Sequence, residues 1–356
     1  MQSGSAENRQ QPAKVCPSCG VSFASDGLFC PNDGTPLTNA ASAQKAQQAP
    51  DGYVGRTILD HIELRQLAGV GAIVFIILHL TGDPATVMMP PESTTAEIEA
   101  FRHVHGFDRP LVVQFAAFAI AAVHGDFGLS LRHGEPALGL ALDRLPASAE
   151  LAFCALAIAL LVAIPAGVIA ALRRNSLIDL VARVAALVGQ SMPVYWLGIM
   201  LVLVFSVQLG WFPTGGSGGP IHLVLPAITL GLFTMAKIMR LTRAAMLDIL
   251  GSDFLRTARA KGVGSLQLVW HHALRNAWIP IVTVVGIELG TLLSQAIITE
   301  TIFSWPGIGR LAVQAIADRD YPVVEAIVLL SASSFVALNL LVDLSYAALD
   351  PRIRYR

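Results

Sequence analysis

From residue 67 onward, apolar runs of membrane-spanning length alternate with shorter polar segments, whereas the first 50 residues contain no such run. A bilayer core of about 30 Å takes roughly 20 apolar residues of helix. The pattern predicts spans at 67–82, 148–172, 184–209, 222–247, 277–303 and 323–348. The first is short, because its 16 residues at about 1.5 Å each reach only about 24 Å. Glu63 and Arg65 bar its extension backwards. It must tilt, thin the bilayer, draw on neighbours, or be a buried or re-entrant segment. Within the polar segment 83–147, Ser93–Phe107 has capping residues followed by helical polarity. Arg109–Gly125 reads as an apolar helix lying on the membrane surface, with a seventh span as the alternative. The expected fold is all-α: a polytopic membrane protein of about six transmembrane helices.

Composition agrees with that pattern. Hydrophobic residues make up 54% of the chain and charged residues 14%, against about a quarter charged in ordinary globular domains. A net charge of −1, with no basic patch outside the polar loops, argues against disorder and against a nucleic-acid partner. Lysine and arginine are unevenly placed. Segments 173–183, 237–275 and 350–356 hold 13, while the longer segments 83–147, 207–221 and 304–322 hold 6. By the positive-inside rule the first group faces the cytoplasm. No signal peptide opens the chain, so both termini are expected in the cytoplasm.

The chain is expected to divide into a tail (1–15), a small cysteine-bearing module (16–37), a linker (38–66) and the membrane domain (67–356). Three of the four cysteines, Cys16, Cys19 and Cys30, fall in the module, and Cys154 sits in an apolar run. Cys16–Leu37 is similar to a zinc ribbon: a Cys-x-x-Cys knuckle, ten residues, then Cys30, with Asp33 at the matching second position. Three thiolates and a carboxylate could hold zinc, and a metal-free, degenerate ribbon is the alternative.

The longest basic segment carries the most information. In Ser252–Thr283, Asp253 is expected to cap a short helix through Thr257, Ala258 and Ala260, which Gly262 ends. A second amphipathic stretch then leads to Arg275, Asn276 and Pro280. Small residues ahead of a glycine turn suit close docking in another protein's groove. A solvated basic loop is the plainer reading.

The order of residues in "RTARAKG" followed by "HALRNAWIP" resembles the EAA loop of ABC-transporter permeases of the dipeptide/oligopeptide/nickel family. The resemblance extends over about residues 72–356. It includes His79–Ala85 (HLTGDPA), Asp108–Phe115 (DRPLVVQF), Gly125–Leu131 (GDFGLSL), Arg144–Leu151 (RLPASAEL), Met192–Leu201 (MPVYWLGIML), Gly210–Gly216 (GWFPTGG), Glu300–Leu311 (ETIFSWPGIGRL) and Leu349–Arg356 (LDPRIRYR).

That resemblance implies an inner-membrane permease subunit of an importer for peptides or similar small solutes, embedded in lipid. It also implies a homologous second permease, two ATP-binding subunits and an extracytoplasmic substrate-binding protein as partners. The loop would couple to the ATPases through Thr257, Ala258, Arg259, Ala260, Lys261 and Gly262, flanked by Ala273, Arg275 and Asn276. The Trp-bearing turns at Gly210 and Ser304 anchor the interface and, by the same resemblance, lie where the binding protein docks.

Ionisable groups at membrane depth are functional candidates. Glu288 could line the pore, with a helix-packing hydrogen bond as the alternative. Lys237, near Arg240, is expected to snorkel to the inner surface. No catalytic pair, no metal site in the spans and no phosphate-binding G-x-x-x-x-G-K-[ST] loop occurs, so the subunit is not expected to be an enzyme. Val54–Ala72 resembles the start of bacterial serine/threonine kinases, but no V-A-I-K strand or H-R-D loop follows. A membrane-anchored zinc-ribbon sensor with a permease-derived membrane region is the alternative function.

Overall fold

The computed structural model describes residues 14–15, 22–23, 38–39, 69–73, 75–77, 83–89 and 92–349. The chain divides into two units, Met1–Ile62 with Ile353–Arg356, and Glu63–Arg352. In the first, β1 (Lys14–Val15), β2 (Ser22–Phe23) and β3 (Thr38–Asn39) form an antiparallel sheet in the order β2-β1-β3. Cys16, Cys19, Cys30 and Asp33 lie outside the described residues, as does most of the kinase-like stretch.

The second unit is helical. Of the expected first span, residues 69–73 and 75–77 are helix and the rest lie outside the described residues. Then come α1 (Pro84–Met88), α2 (Thr95–His105) and α3 (Leu111–Val123). A capping box starts α2: Thr94 Oγ1 accepts from the Glu97 backbone N–H, and the Glu97 carboxylate accepts from the Thr94 backbone N–H. That backbone hydrogen bond, with one from the Thr94 hydroxyl, holds Glu97 below the usual carboxylate range. α3 has 13 residues, about 20 Å of helix, which is too short for the seventh span. Its Phe115 and Phe118 rings lie 5.4 and 5.8 Å from that of Phe75.

The long helices follow. These are α4 (Ala137–Leu172), α5 (Leu177–Ser191), α6 (Val194–Leu201, continued by a π-helix over Val202–Gln208) and α7 (Pro220–Leu250). After them α8 (Asp253–Ala260), α9 (Ser265–Gln267), a π-helical stretch Leu268–Ala273 and α10 (Leu274–Ile302) lead to α11 (Ile308–Ala317) and α12 (Tyr321–Leu349). Among the described residues four helices are long and apolar enough to cross a bilayer, and the pair Leu177–Ser191 + Val194–Gln208 is a fifth if taken as one span.

That pair corrects the straight span expected at 184–209, because the helix axis bends by 105° between its halves. The break has a local cause. Pro193 pushes Met192 out of helical geometry, to φ −79° and ψ 130°. Two further boundaries differ. α4 starts eleven residues before the expected 148, since Ala137 and Ala141 are buried as well. α10 begins at Leu274 and carries Pro280 within it, continuing the π-helical stretch without a break.

Packing fixes the relative directions. At one end Val168 and Ala171 of α4, Met246 of α7 and Ala277 of α10 share a core cluster with Leu255 and Leu268. At the other, Ala137 and Ala141 of α4 pack with Ile308 and Leu311 of α11 and Val323 of α12. Between them Leu151 and Ala155 meet Leu230, Ile238 and Leu292. α4 lends this seam a run of fully buried alanines, 152, 155, 159 and 163, small side chains that let helices approach closely. Hence α4, α7 and α12 run one way and α10 the other. The chain must return between Leu172 and Pro220, and the bent pair carries it.

Candidate functional site

The loop between α7 and α10 is built on a small apolar core. Leu255 is 1% exposed and sits in the cluster with Leu268 and Ala273, while Thr257, Arg259, Ala260, Lys261 and Gly262 are exposed and Ala258 is half-buried. Ser252, not Asp253, occupies the N-cap, and its hydroxyl donates to the Ile249 carbonyl (2.6 Å) instead of capping. Asp253 is the first helical residue and meets Arg256 at 3.5 Å. The helix ends because Gly262 adopts φ +82°, which an L side chain enters only with strain; its N–H bonds the Arg259 carbonyl (3.0 Å). Ala273 is fully buried, whereas Arg275 and Asn276 are exposed, with Asn276 Nδ2 donating to the His272 carbonyl (2.7 Å). The structure therefore gathers residues 257–262 and Ala273 around one small core and leaves an exposed, mostly basic face.

Glu288 belongs to a different place. It is 3% exposed, midway along α10, and accepts hydrogen bonds from Thr234 Oγ1 (2.9 Å) and from the Lys237 ammonium, both on α7. The spacing suggested that Lys237 extends toward the inner surface; in the structure a carboxylate on the neighbouring helix holds its ammonium.

Sequence reasoning missed three carboxylates that tie helices together. Asp179, fully buried at the start of α5, takes a two-pronged bond from Arg243 of α7 (2.6 and 2.8 Å), with Arg183 at 3.5 Å. Glu300, fully buried, accepts from Ser148 Oγ of α4 (2.5 Å) and the Arg310 backbone N–H (3.1 Å), so it sits on the N-terminus of α11. Ser148 in turn accepts from the Ile308 N–H (2.8 Å). Gly307 is required there, since a methyl group would overlap the Glu300 carboxylate. Asp320 accepts from Ser130 Oγ (2.5 Å) and the Leu131 N–H (3.2 Å). Nearby, Trp305 Nε1 donates to the Ala147 carbonyl (2.8 Å) and Gly216 N–H to that of Phe303 (2.8 Å). The two tryptophan-bearing turns therefore differ: Trp305 is buried while Trp211 is 61% exposed. A charged residue inside an apolar run was the available signal for Glu300; the partners lie too far along the chain to be read.

Comparison with known proteins decides the family. Residues 163–355 match the family described as binding-protein-dependent transport system inner membrane component. The chain belongs to that family. The glutathione transport system permease protein GsiC of Escherichia coli (strain K12) is 43% identical over 288 residues, covering 81% of this chain and 94% of that protein. GsiC of Shigella flexneri serotype 5b (strain 8401) matches at the same identity and coverage. Among solved structures, inward-facing conformations of the MetNI methionine ABC transporter align with a TM-score of 0.48 at 18% identity, over 59% of this chain and 94% of that one.

The permease is thus a multi-pass inner-membrane protein, the membrane-spanning subunit of an ATP-binding-cassette importer. Its relatives are transport subunits, not catalysts, and none of them supports the alternative of a membrane-anchored sensor.

Proposed function

We propose that this permease forms one wall of a translocation path for glutathione or small peptides, and that α8 with Gly262 receives motion from an ATP-binding partner. In this reading the end bearing residues 251–274 faces the cytoplasm and both termini lie on that side. A homologous second permease, two ATP-binding subunits and an extracytoplasmic binding protein complete the importer. One observation carries it: a short helix held chiefly by Leu255, with Ala258 partly buried beside it, exposes Thr257, Arg259 and Lys261 on the loop between two long core helices. Such a rod, fixed at its base and open on its outer face, transmits a push from whatever grips it. The substrate class rests on the named relatives.

The test is uptake of labelled glutathione and tripeptides by cells lacking the subunit and complemented with it. It is paired with crosslinking from a Lys261→Cys variant. A crosslink to the ATP-binding subunit is expected; labelling of that cysteine only from the periplasmic side would overturn the assignment. For the amino-terminal module we carry zinc forward as a proposal, supported by the Cys16, Cys19, Cys30 and Asp33 spacing alone. Purified full-length chain should hold one zinc per molecule, lost in Cys16→Ser; a metal-free wild type would end the idea.

A further inference from the structure

The exposed faces of the crossing helices are not alike. Over residues 151–172 every exposed side chain of α4 is apolar, Phe153, Leu161 and Val162 among them, and α5 exposes Leu180, Val184 and Leu187 with Arg183 its one exposed charge, a surface that acyl chains can largely cover. On α7 one stripe runs through Phe233, Lys237, Arg240, Ala244 and Asp248, each three or four residues from the last; Lys237 is half-buried and the other four are exposed. Three of these five are charged. Lys237 is the eighteenth of the 31 residues of α7, and its neighbours Ala236 and Ile238 belong to the buried seam with α4 and α10, so it lies within the crossing part of the bundle. Ionisable groups in that part face a bundle interior or a water-filled cavity. The stripe therefore faces the path, not lipid.

The Lys237 side chain is 44% exposed, while Glu288 behind it is buried and further held by Thr234. An ammonium carries three donors and no acceptor, and among the described residues Glu288 is its one recorded partner. The buried carboxylate fixes the ammonium, and the exposed side keeps donors to offer. Acceptors that use such donors best are carboxylates, because both partners are charged.

On the reading of the path given above, we propose that Lys237 engages the carboxylate of the passing solute and that Glu288 is its positioning residue. The two form a way-station for anionic peptides within the crossing part of the bundle.

The experiment uses the whole importer in cells and two tripeptides that differ only at the C-terminus, free acid against amide. The external binding protein meets the solute first and governs KM, so passage is read in Vmax. Lys237→Gln should lower Vmax for the acid by about tenfold, the worth of one charge-assisted hydrogen bond. The amide rate should stay within about twofold, with KM unchanged for both. Lys237→Arg should keep most of the acid rate. Because Lys237→Gln leaves Glu288 buried without its cation, the double variant Lys237→Gln/Glu288→Gln is measured beside it and should show the same acid-specific loss. An equal fall for acid and amide, or no change in either, would overturn the role of Lys237. Wild-type importer that carries neither tripeptide would instead overturn the peptide reading on which this rests.

Discussion

The two ends of the helical unit are built on opposite plans. At the end bearing residues 300–320, buried carboxylates knit segments from across the chain. Glu300 joins α4, α10 and α11, and Asp320 joins the 130–132 turn to the start of α12. These two carboxylates find their partners inside the chain, whereas the buried Thr299 hydroxyl beside Glu300 has none among the described residues. At the end bearing residues 251–274 the one buried carboxylate, Asp179, ties α5 to α7 but leaves α8 untouched. α8 is held by Leu255, and beside it Phe254, Leu266 and Trp270 stay exposed at 46%, 75% and 49%. Apolar side chains left uncovered beside a charged helix mark a surface meant for a partner. The lesson is that internal locking is concentrated at one end: that end is knit by the chain's own carboxylates, although Trp211 and Ile316 stay exposed there too, whereas α8 at the other rests on a small apolar core.

Substitutions at each end should separate these plans. Glu300→Ala strands the Ser148 hydroxyl and backbone N–H groups at the start of α11 at a cost of about 1–3 kcal/mol per buried group. The purified importer should then lose on the order of 10 °C in unfolding midpoint. A shift near zero would mean that this end is not internally locked. Leu255→Ala removes the one fully buried side chain of α8 at about 2 kcal/mol. Proteolysis within 251–264 should speed up while the midpoint moves little, and a global loss of stability would erase the contrast. Gly262→Asp places a side chain at φ +82° for about 1 kcal/mol. Insertion should survive and ATP hydrolysis continue while uptake is lost, and wild-type uptake would count against coupling through α8. Arg256→Ala, which removes an exposed ion pair with Asp253, should leave both stability and uptake unchanged, since such pairs contribute little; a large stability loss would show the loop to be knit after all.

Most of the helices were legible because burial in lipid demands long apolar runs, which survive as plain hydropathy. Their ends were less so. The buried Ala137 and Ala141 lengthen α4 within a stretch whose charges, Asp143 and Arg144, read as loop. Met192–Pro193 stated the break in the third span openly, and the apolar residues on either side masked it. The loop was visible through its small residues and Gly262, but its anchor Leu255 looks like any leucine. Least legible were the pairings. Arg243 meets Asp179 across 64 positions and Lys237 meets Glu288 across 51, distances at which spacing on one helix carries no information. That is why Lys237 read as a surface-seeking side chain.

The bend at Pro193 has a consequence of its own. With α4 and α7 parallel, the return path between them consists of two segments hinged at an elbow, with a hollow of about 500 Å³ beside Leu187, Pro193 and Trp196. The height this flank spans is therefore set by an angle and not by a residue count. A few degrees of opening or closing would retune the bilayer thickness it matches, with no residue entering or leaving a helix.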